Sequence, residues 1–279
     1  MLSLEHYNNL IAQNRRNPAA LIDMSNTIIG QKEATIQYYD LALKALDLAV
    51  ALSSKNIQAL YNRGRIRTML GLHTGALRDF TQCIQLDAQD AGVWYRRGLV
   101  FYELKDYKNA VMDFVHSIQL APEVLETYLL RGYAVMNLGG YTEAIQDFEL
   151  VIRNKAPFSA EALYHRSKCF YNLQRMDLAI KDCDNLLQIG WIATDVYALR
   201  AMAYLHLQNY QKALEDYDEA LKLDPTNEDL LYNRAEVWKA VQDLHKQAGT
   251  TPEEVTTTAT TEEKPAEKPK RTRKKKEVE

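Results

Sequence analysis

An arginine recurs along this chain at Arg63, Arg97, Arg131, Arg166, Arg200 and Arg234. Sixteen residues after each of the first five stands an aspartate: Asp79, Asp113, Asp147, Asp182 and Asp216. Guanidinium and carboxylate groups at a fixed spacing can pair, or the arginines can form a stripe that takes anions. Two antiparallel helices with their turn centred between these positions bring the two side chains together. The series is therefore expected to be a ladder of partly buried ion pairs that fixes register. Pairing within a repeat and pairing from one aspartate to the next repeat's arginine both fit, and each strands one terminal arginine. Removing one partner of a fully buried pair costs about 3–5 kcal/mol.

Other chemistry is sparse. No two of His6, His73, His116, His165, His206 and His245 share a metal-ligand spacing on one helix, so no metal site is expected. Gly139-Gly140 precedes no strand and makes no phosphate loop. No serine or cysteine has a recognisable base partner. The chain is expected to be no enzyme and to need no cofactor. Cys83, Cys169 and Cys183 are odd in number and widely spaced, which argues against disulfides and zinc. They are expected to be buried small hydrophobes in a reducing compartment.

The elements that must position these residues show in a second rhythm. Ala42, Ala76, Ala110, Ala144, Ala179 and Ala213 return at steps of 34, 34, 34, 35 and 34 residues. Twelve residues before each stands a small residue, Gly30, Gly64, Gly98, Gly132, Ser167 or Ala201, and Ala235 continues that series. A period of 34 residues means one helix–turn–helix unit stacked many times. In the unit starting at Ala91, Val93, Val100, Phe101 and Leu104 form one helical stripe, and Ala110, Val111, Phe114 and Ile118 form a second. Lys105-Asp106 makes the turn between them, and Pro122 ends the second helix. Pro225 stands at the same junction, and Pro157 lies one residue further on, at a single-residue insertion.

The units run over 23–56, 57–90, 91–124, 125–158, 160–193 and 194–227, within an array expected over 23–247. The first is ambiguous. It turns either at Ile36–Tyr39 or at Gly30-Gln31, the latter giving one long helix over about 32–52. Residues 1–22 are expected to add a capping helix, with Asn17 as N-cap before Pro18. A last helix from Glu228 to about Gln247 mixes Leu231, Ala235 and Trp238 with charged residues, as a solvated cap would.

Hydrophobic residues make up 47% of the 279-residue chain, enough for a continuous core, and the net charge is −3. Such a balance makes the chain as a whole no electrostatic nucleic-acid binder. With no secretory leader pattern and no long apolar run, a cytoplasmic protein without a membrane span is expected. The composition of 248–279 shifts to threonine, glutamate, proline and lysine, which predicts disorder. Lys268, Lys270, Arg271, Arg273, Lys274, Lys275 and Lys276 form a basic cluster there, flanked by glutamates. It is either a solubilising tail or a tether to nucleic acid or an acidic surface.

Trp94, Gly98, Tyr107, Ala110, Phe114 and Pro122, followed by Tyr128, Gly132, Tyr141, Ala144 and Phe148, resemble the tetratricopeptide repeat. The resemblance covers roughly residues 23–247. It departs in one regular way, carrying arginine where the family has leucine before the glycine. It implies an all-α fold, a right-handed superhelical solenoid of about six antiparallel helix pairs plus capping helices. It implies no activity; the family's first helices line a concave groove that binds peptides or protein partners. Positions five, nine and twelve of each first helix share that face. They give Tyr61, Arg65 and Thr68; Tyr95, Leu99 and Tyr102; Leu129, Tyr133 and Met136; Tyr164, Lys168 and Tyr171; and Ala198, Met202 and Leu205. A solvated helix face would be charged and polar. This one is rich in tyrosine, leucine and methionine, as a peptide-binding surface would be. Tyr102, Tyr133, Met136 and Met202 are expected to share one exposed surface. The family's carboxylate-gripping groove needs lysines and asparagine where this chain has Tyr61, Arg65, Arg96, Glu126 and Leu130. Binding of chaperone C-termini is accordingly disfavoured.

Overall fold

The structure, a computed structural model, describes residues 3–30 and 35–248. The basic cluster and the rest of 249–279 lie outside the described residues. Among those described, every regular element is a helix, and the chain forms two compact units, 1–191 and 192–279. The single array expected over 23–247 is thus distributed between two units.

The first unit opens with α1 (Leu4–Gln13), α2 (Pro18–Ile29) and α3 (Ile36–Leu52). Four helix pairs follow: α4 (Ile57–Met69) with α5 (His73–Leu86), α6 (Ala91–Glu103) with α7 (Tyr107–Leu120), α8 (Leu125–Asn137) with α9 (Tyr141–Arg153), and α10 (Ser159–Asn172) with α11 (Met176–Gln188). The second unit holds the pair α12 (Thr194–His206) and α13 (Tyr210–Leu223), and then α14 (Glu228–Ala248).

Local chemistry sets the helix ends. Asn17, Asn56, Asp106 and Asn209 cap α2, α4, α7 and α13 by accepting hydrogen bonds from the backbone N–H groups of Ala20, Ala59, Asn109 and Lys212. Between the helices of each pair the chain passes through the left-handed region, at φ 72° for Gly71, 59° for Lys105, 82° for Gly139, 58° for Gln174 and 59° for Gln208. Two of these five positions hold glycine, which adopts that conformation without steric cost. The other three carry a side chain there.

Packing explains the small-residue rhythm. The six alanines from Ala42 to Ala213 are fully buried. A Cβ added at Gly64, Gly98 or Gly132 would lie 2.8, 2.9 or 2.6 Å from the ring of Phe80, Phe114 or Phe148 respectively. The missing side chain on the first helix makes room for the ring on the second. At the next pair the sizes change together, with Ser167 on the first helix and Cys183 at the phenylalanine position. Cys83, Cys169 and Cys183 are buried and form no disulfide, and burial pushes the Cys83 and Cys169 thiols up to about 12.

The first repeat is corrected. Ile36–Tyr39 is not a turn but the start of α3, so the long-helix alternative holds from residue 36. Gly30 caps the exposed end of α2 and meets no aromatic ring, so it does not belong to the close-approach series. The helix that Asn17 caps runs on to Ile29, and the boundary at 22/23 falls inside it. Without an aromatic residue to accommodate, this repeat has no need of the glycine.

Candidate functional site

The ladder pairs within each repeat. Arg63, Arg97, Arg131, Arg166 and Arg200 each donate from Nε and Nη2 to both oxygens of the aspartate sixteen residues on, at 2.5–3.0 Å. This two-pronged geometry is the strong form of the pair. Every aspartate of the five is buried, while the arginines keep part of their surface wet. Burial pushes the Asp147 carboxyl up, against the Arg131 hydrogen bond and charge that pull it down. The Asp147 hydrogen bond raises Arg131 above its usual value although burial opposes this. With their forks filled by carboxylates, these arginines do not form an anion-binding stripe.

The last arginine behaves differently. Arg234 of α14 reaches back sixteen residues to Asp218, which is half exposed. Arg63 also reaches back, to Asp47 at 3.0 Å, and Arg97 donates to Thr81 at 3.1 Å. Arg67 joins the first pair, binding Asp79 at 2.8 Å and Asp47 at 3.1 Å. Sequence reasoning missed Arg67 and Asp47. The signal for Arg67 was a charge at the eleventh first-helix position, where the neighbouring repeats have Phe101 and Val135.

In the first unit the first helices α4, α6, α8 and α10 adjoin one another. Their shared face carries Tyr61, Arg65, Tyr95, Leu99, Tyr102, Met136, Tyr164, Lys168 and Tyr171, all half-buried. Tyr95 donates to Glu126 of α8 at 2.8 Å, which ties two repeats together across the face. Arg65 lies over the Tyr61 ring at 5.9 Å, and Lys168 lies over Tyr164 at 5.5 Å. Tyr102 packs edge-on against Tyr107 at 5.4 Å. In the second unit Met202 is exposed, and Leu205 is half-buried in that unit's core.

Tyr133 does not stand exposed as expected. It is 9% accessible, packed 4.4 Å from His165 and 5.7 Å from Phe148. Leu129 is likewise buried. The reason is the neighbouring repeat: His165 of α10 fills the space over the ring, and no feature of α8 alone signals that. Burial, followed by the nearby Glu161 carboxylate, holds the Tyr133 hydroxyl protonated. His165 is itself a product of this packing. Burial and then Lys168 push its imidazole down to about 4, and its Nδ1 is buried without a hydrogen bond. Among the described residues no group of three or more His, Cys, Asp or Glu side chains could hold a metal ion, and no helix is long and apolar enough to cross a membrane.

Tetratricopeptide-repeat family models match residues 91–124, 129–191 and 194–227. RNA polymerase II-associated protein 3 of Xenopus laevis is 31% identical over 103 residues, 37% of this chain and 15% of that protein. The Hsp70-Hsp90 organizing protein of Triticum aestivum is 30% identical over 83 residues, 30% of this chain and 14% of that protein. The chain thus spans about one seventh of the length of these two relatives. Among solved structures, Pseudomonas aeruginosa pilF superposes with a TM-score of 0.61 at 17% identity, over 78% of this chain and 97% of that one. A tetratricopeptide repeat protein from Parabacteroides merdae gives 0.54 at 20% identity, over 84% of this chain and 91% of that one. These two superpositions bear on the fold alone. Helix pairs on a 34-residue register, the small-against-aromatic contact within them and three matched stretches agree: the stretch from residue 91 to residue 227 is built of tetratricopeptide repeats.

Proposed function

We propose that this chain is a noncatalytic scaffold that holds a segment of a partner protein against the shared face of α4, α6, α8 and α10. The supporting observation is the composition of that face. Tyr61, Tyr95, Tyr102, Met136, Tyr164 and Tyr171 keep part of their surface in water, where an unused helix face would carry charges. Tyrosine suits this role because a rigid ring offers contact area at low entropic cost and its hydroxyl finds polar partners. The family is one of interaction modules, and the similar plant protein is named for organizing two chaperones. The residues at the carboxylate-gripping positions favour a partner engaged along its length over one held by its C-terminus. Met202 of α12 holds the same first-helix position in the second unit and is exposed there, and it is described with that unit alone.

A peptide library panned on the full chain tests this reading. Selected peptides should bind a Tyr102→Ala/Met136→Ala variant at least about tenfold more weakly, the loss expected for two central anchors. Peptides that bind both proteins equally would overturn it. Tyr133 is left intact, since its truncation would open the core.

A further inference from the structure

α14 leaves a short apolar stripe exposed beside Glu228, Glu236, Lys239 and Gln242. Leu231 is 48% accessible and Trp238 45%, with Ala235 exposed between them. These residues sit at the fourth, eleventh and eighth first-helix positions, the ones that a repeat's own second helix covers. With the second helix in place the eighth position is buried in every pair from α4 to α12, and the fourth and eleventh are buried in α10 (Leu163, Phe170) and half-buried in α6, α8 and α12. A solvated cap would carry polar residues at these three positions, and α14 does not. Arg234 stands at the ladder position of the same helix, but sixteen residues on the sequence has Thr250 instead of aspartate. Residues 249–279 contain no aspartate, no aromatic residue and no leucine, isoleucine or methionine. They lack the side chains from which a second helix of this kind is built.

We propose that α14 is the first half of a split repeat, completed by a helix from another polypeptide. The chain itself specifies the chemistry of that helix. All five second helices that follow a ladder arginine carry alanine, then aspartate three residues later, with an aromatic residue directly after it in four of them: Phe80, Phe114, Phe148 and Tyr217. The incoming helix therefore presents Ala-x-x-Asp-aromatic. Its aspartate takes the vacant in-repeat partner position of Arg234, and its aromatic ring seats on Ala235 between Leu231 and Trp238. A second copy of this chain is the poorer occupant, because its own helices of this pattern are already packed inside their repeats, with Ala76, Ala110, Ala144, Ala179 and Ala213 fully buried.

The probe is a labelled peptide with the sequence of α7, YKNAVMDFVHSIQL, stapled on its polar side to hold it helical, titrated into the full chain by fluorescence anisotropy. Saturable binding is expected, weakened about tenfold or more by Trp238→Ala in the chain or by replacing the peptide's phenylalanine with alanine. Replacing the peptide's aspartate with alanine should weaken binding to the parent chain but not to an Arg234→Ala variant. The Tyr102→Ala/Met136→Ala chain should bind the probe normally, which separates this surface from the α4–α10 face. Trp238 is already half exposed, so its variant should keep the parent circular dichroism. Absence of saturable binding, or binding indifferent to Trp238, would overturn the proposal. So would self-association of the chain that Trp238→Ala abolishes, because a second copy would then be the occupant.

Discussion

Arg131 and Arg234 occupy the same position in their helices, yet one is locked and the other is loose. Arg131 has a second helix beside it, and its partner Asp147 is 7% accessible at the side chain. Among the described residues Arg234 has none beside it on that face, and its partner Asp218 is 47% accessible. An identical residue at an identical register thus makes a buried pair in the interior of the array and a solvent-screened one at α14. The energetic content of the ladder lies in the second helix that covers it and not in the arginine. The small position repeats the lesson: Gly132 lies under the Phe148 ring, whereas Ala235 faces open solvent.

The largest effect should come from the carboxylates. Asp147→Ala leaves Arg131 unpaired in a mostly buried site and should cost on the order of 3 kcal/mol, read as a clear drop in Tm. Asp218→Ala removes an exposed pair and should stay within about 1 kcal/mol. Equal losses for the two variants would erase the distinction between interior and end.

His165 sharpens the contrast in another way. Its imidazole titrates near 4 in the folded chain, below its ordinary value of 6.5. Between those values the unfolded chain binds more protons, so stability is lost as pH falls from about 6.5 toward 4. With allowance for solvent screening the loss is on the order of 2 kcal/mol. His165→Phe should flatten that part of the stability–pH curve, measured by urea unfolding at pH 6.5 and pH 4.5. An unchanged slope would remove His165 from the account.

At the small position, Gly132→Ala should destabilise by about 1–2 kcal/mol, because overpacking against Phe148 outweighs the gain in helix propensity. Ala235→Val in α14 has no ring to strike and should change stability by less than about 0.5 kcal/mol. At the turns the expected effect has the opposite sign. Lys105→Gly should raise stability by up to about 1 kcal/mol, since glycine relieves the left-handed strain at φ 59°. The same change at Asn137, which is helical, should lower it.

Sequence alone determined the architecture from residue 57 onward. The 34-residue return of small and aromatic residues fixed where each helix starts, where Lys105-Asp106 turns and which arginine and aspartate could meet. That information is local and periodic, and periodicity survives in a linear string. Three matters needed the tertiary structure. The repeat frame set the first turn at Ile36–Tyr39, a poor turn sequence, with Gly30-Gln31 as the rival; the structure resolved the repeat into α2 and α3, and α3 packs against α1 and α4. The ladder paired within repeats because the antiparallel crossing brings Asp147 to Arg131, a choice that spacing leaves open. The proposed binding face lost Tyr133 and Leu129 and kept Tyr102 and Met136 because exposure is set by what the next repeat lays over a side chain. His165 stands 32 residues after Tyr133 in sequence and 4.4 Å from its ring in space. A repeat unit encodes its own helices, but only its neighbours decide which of their residues reach water.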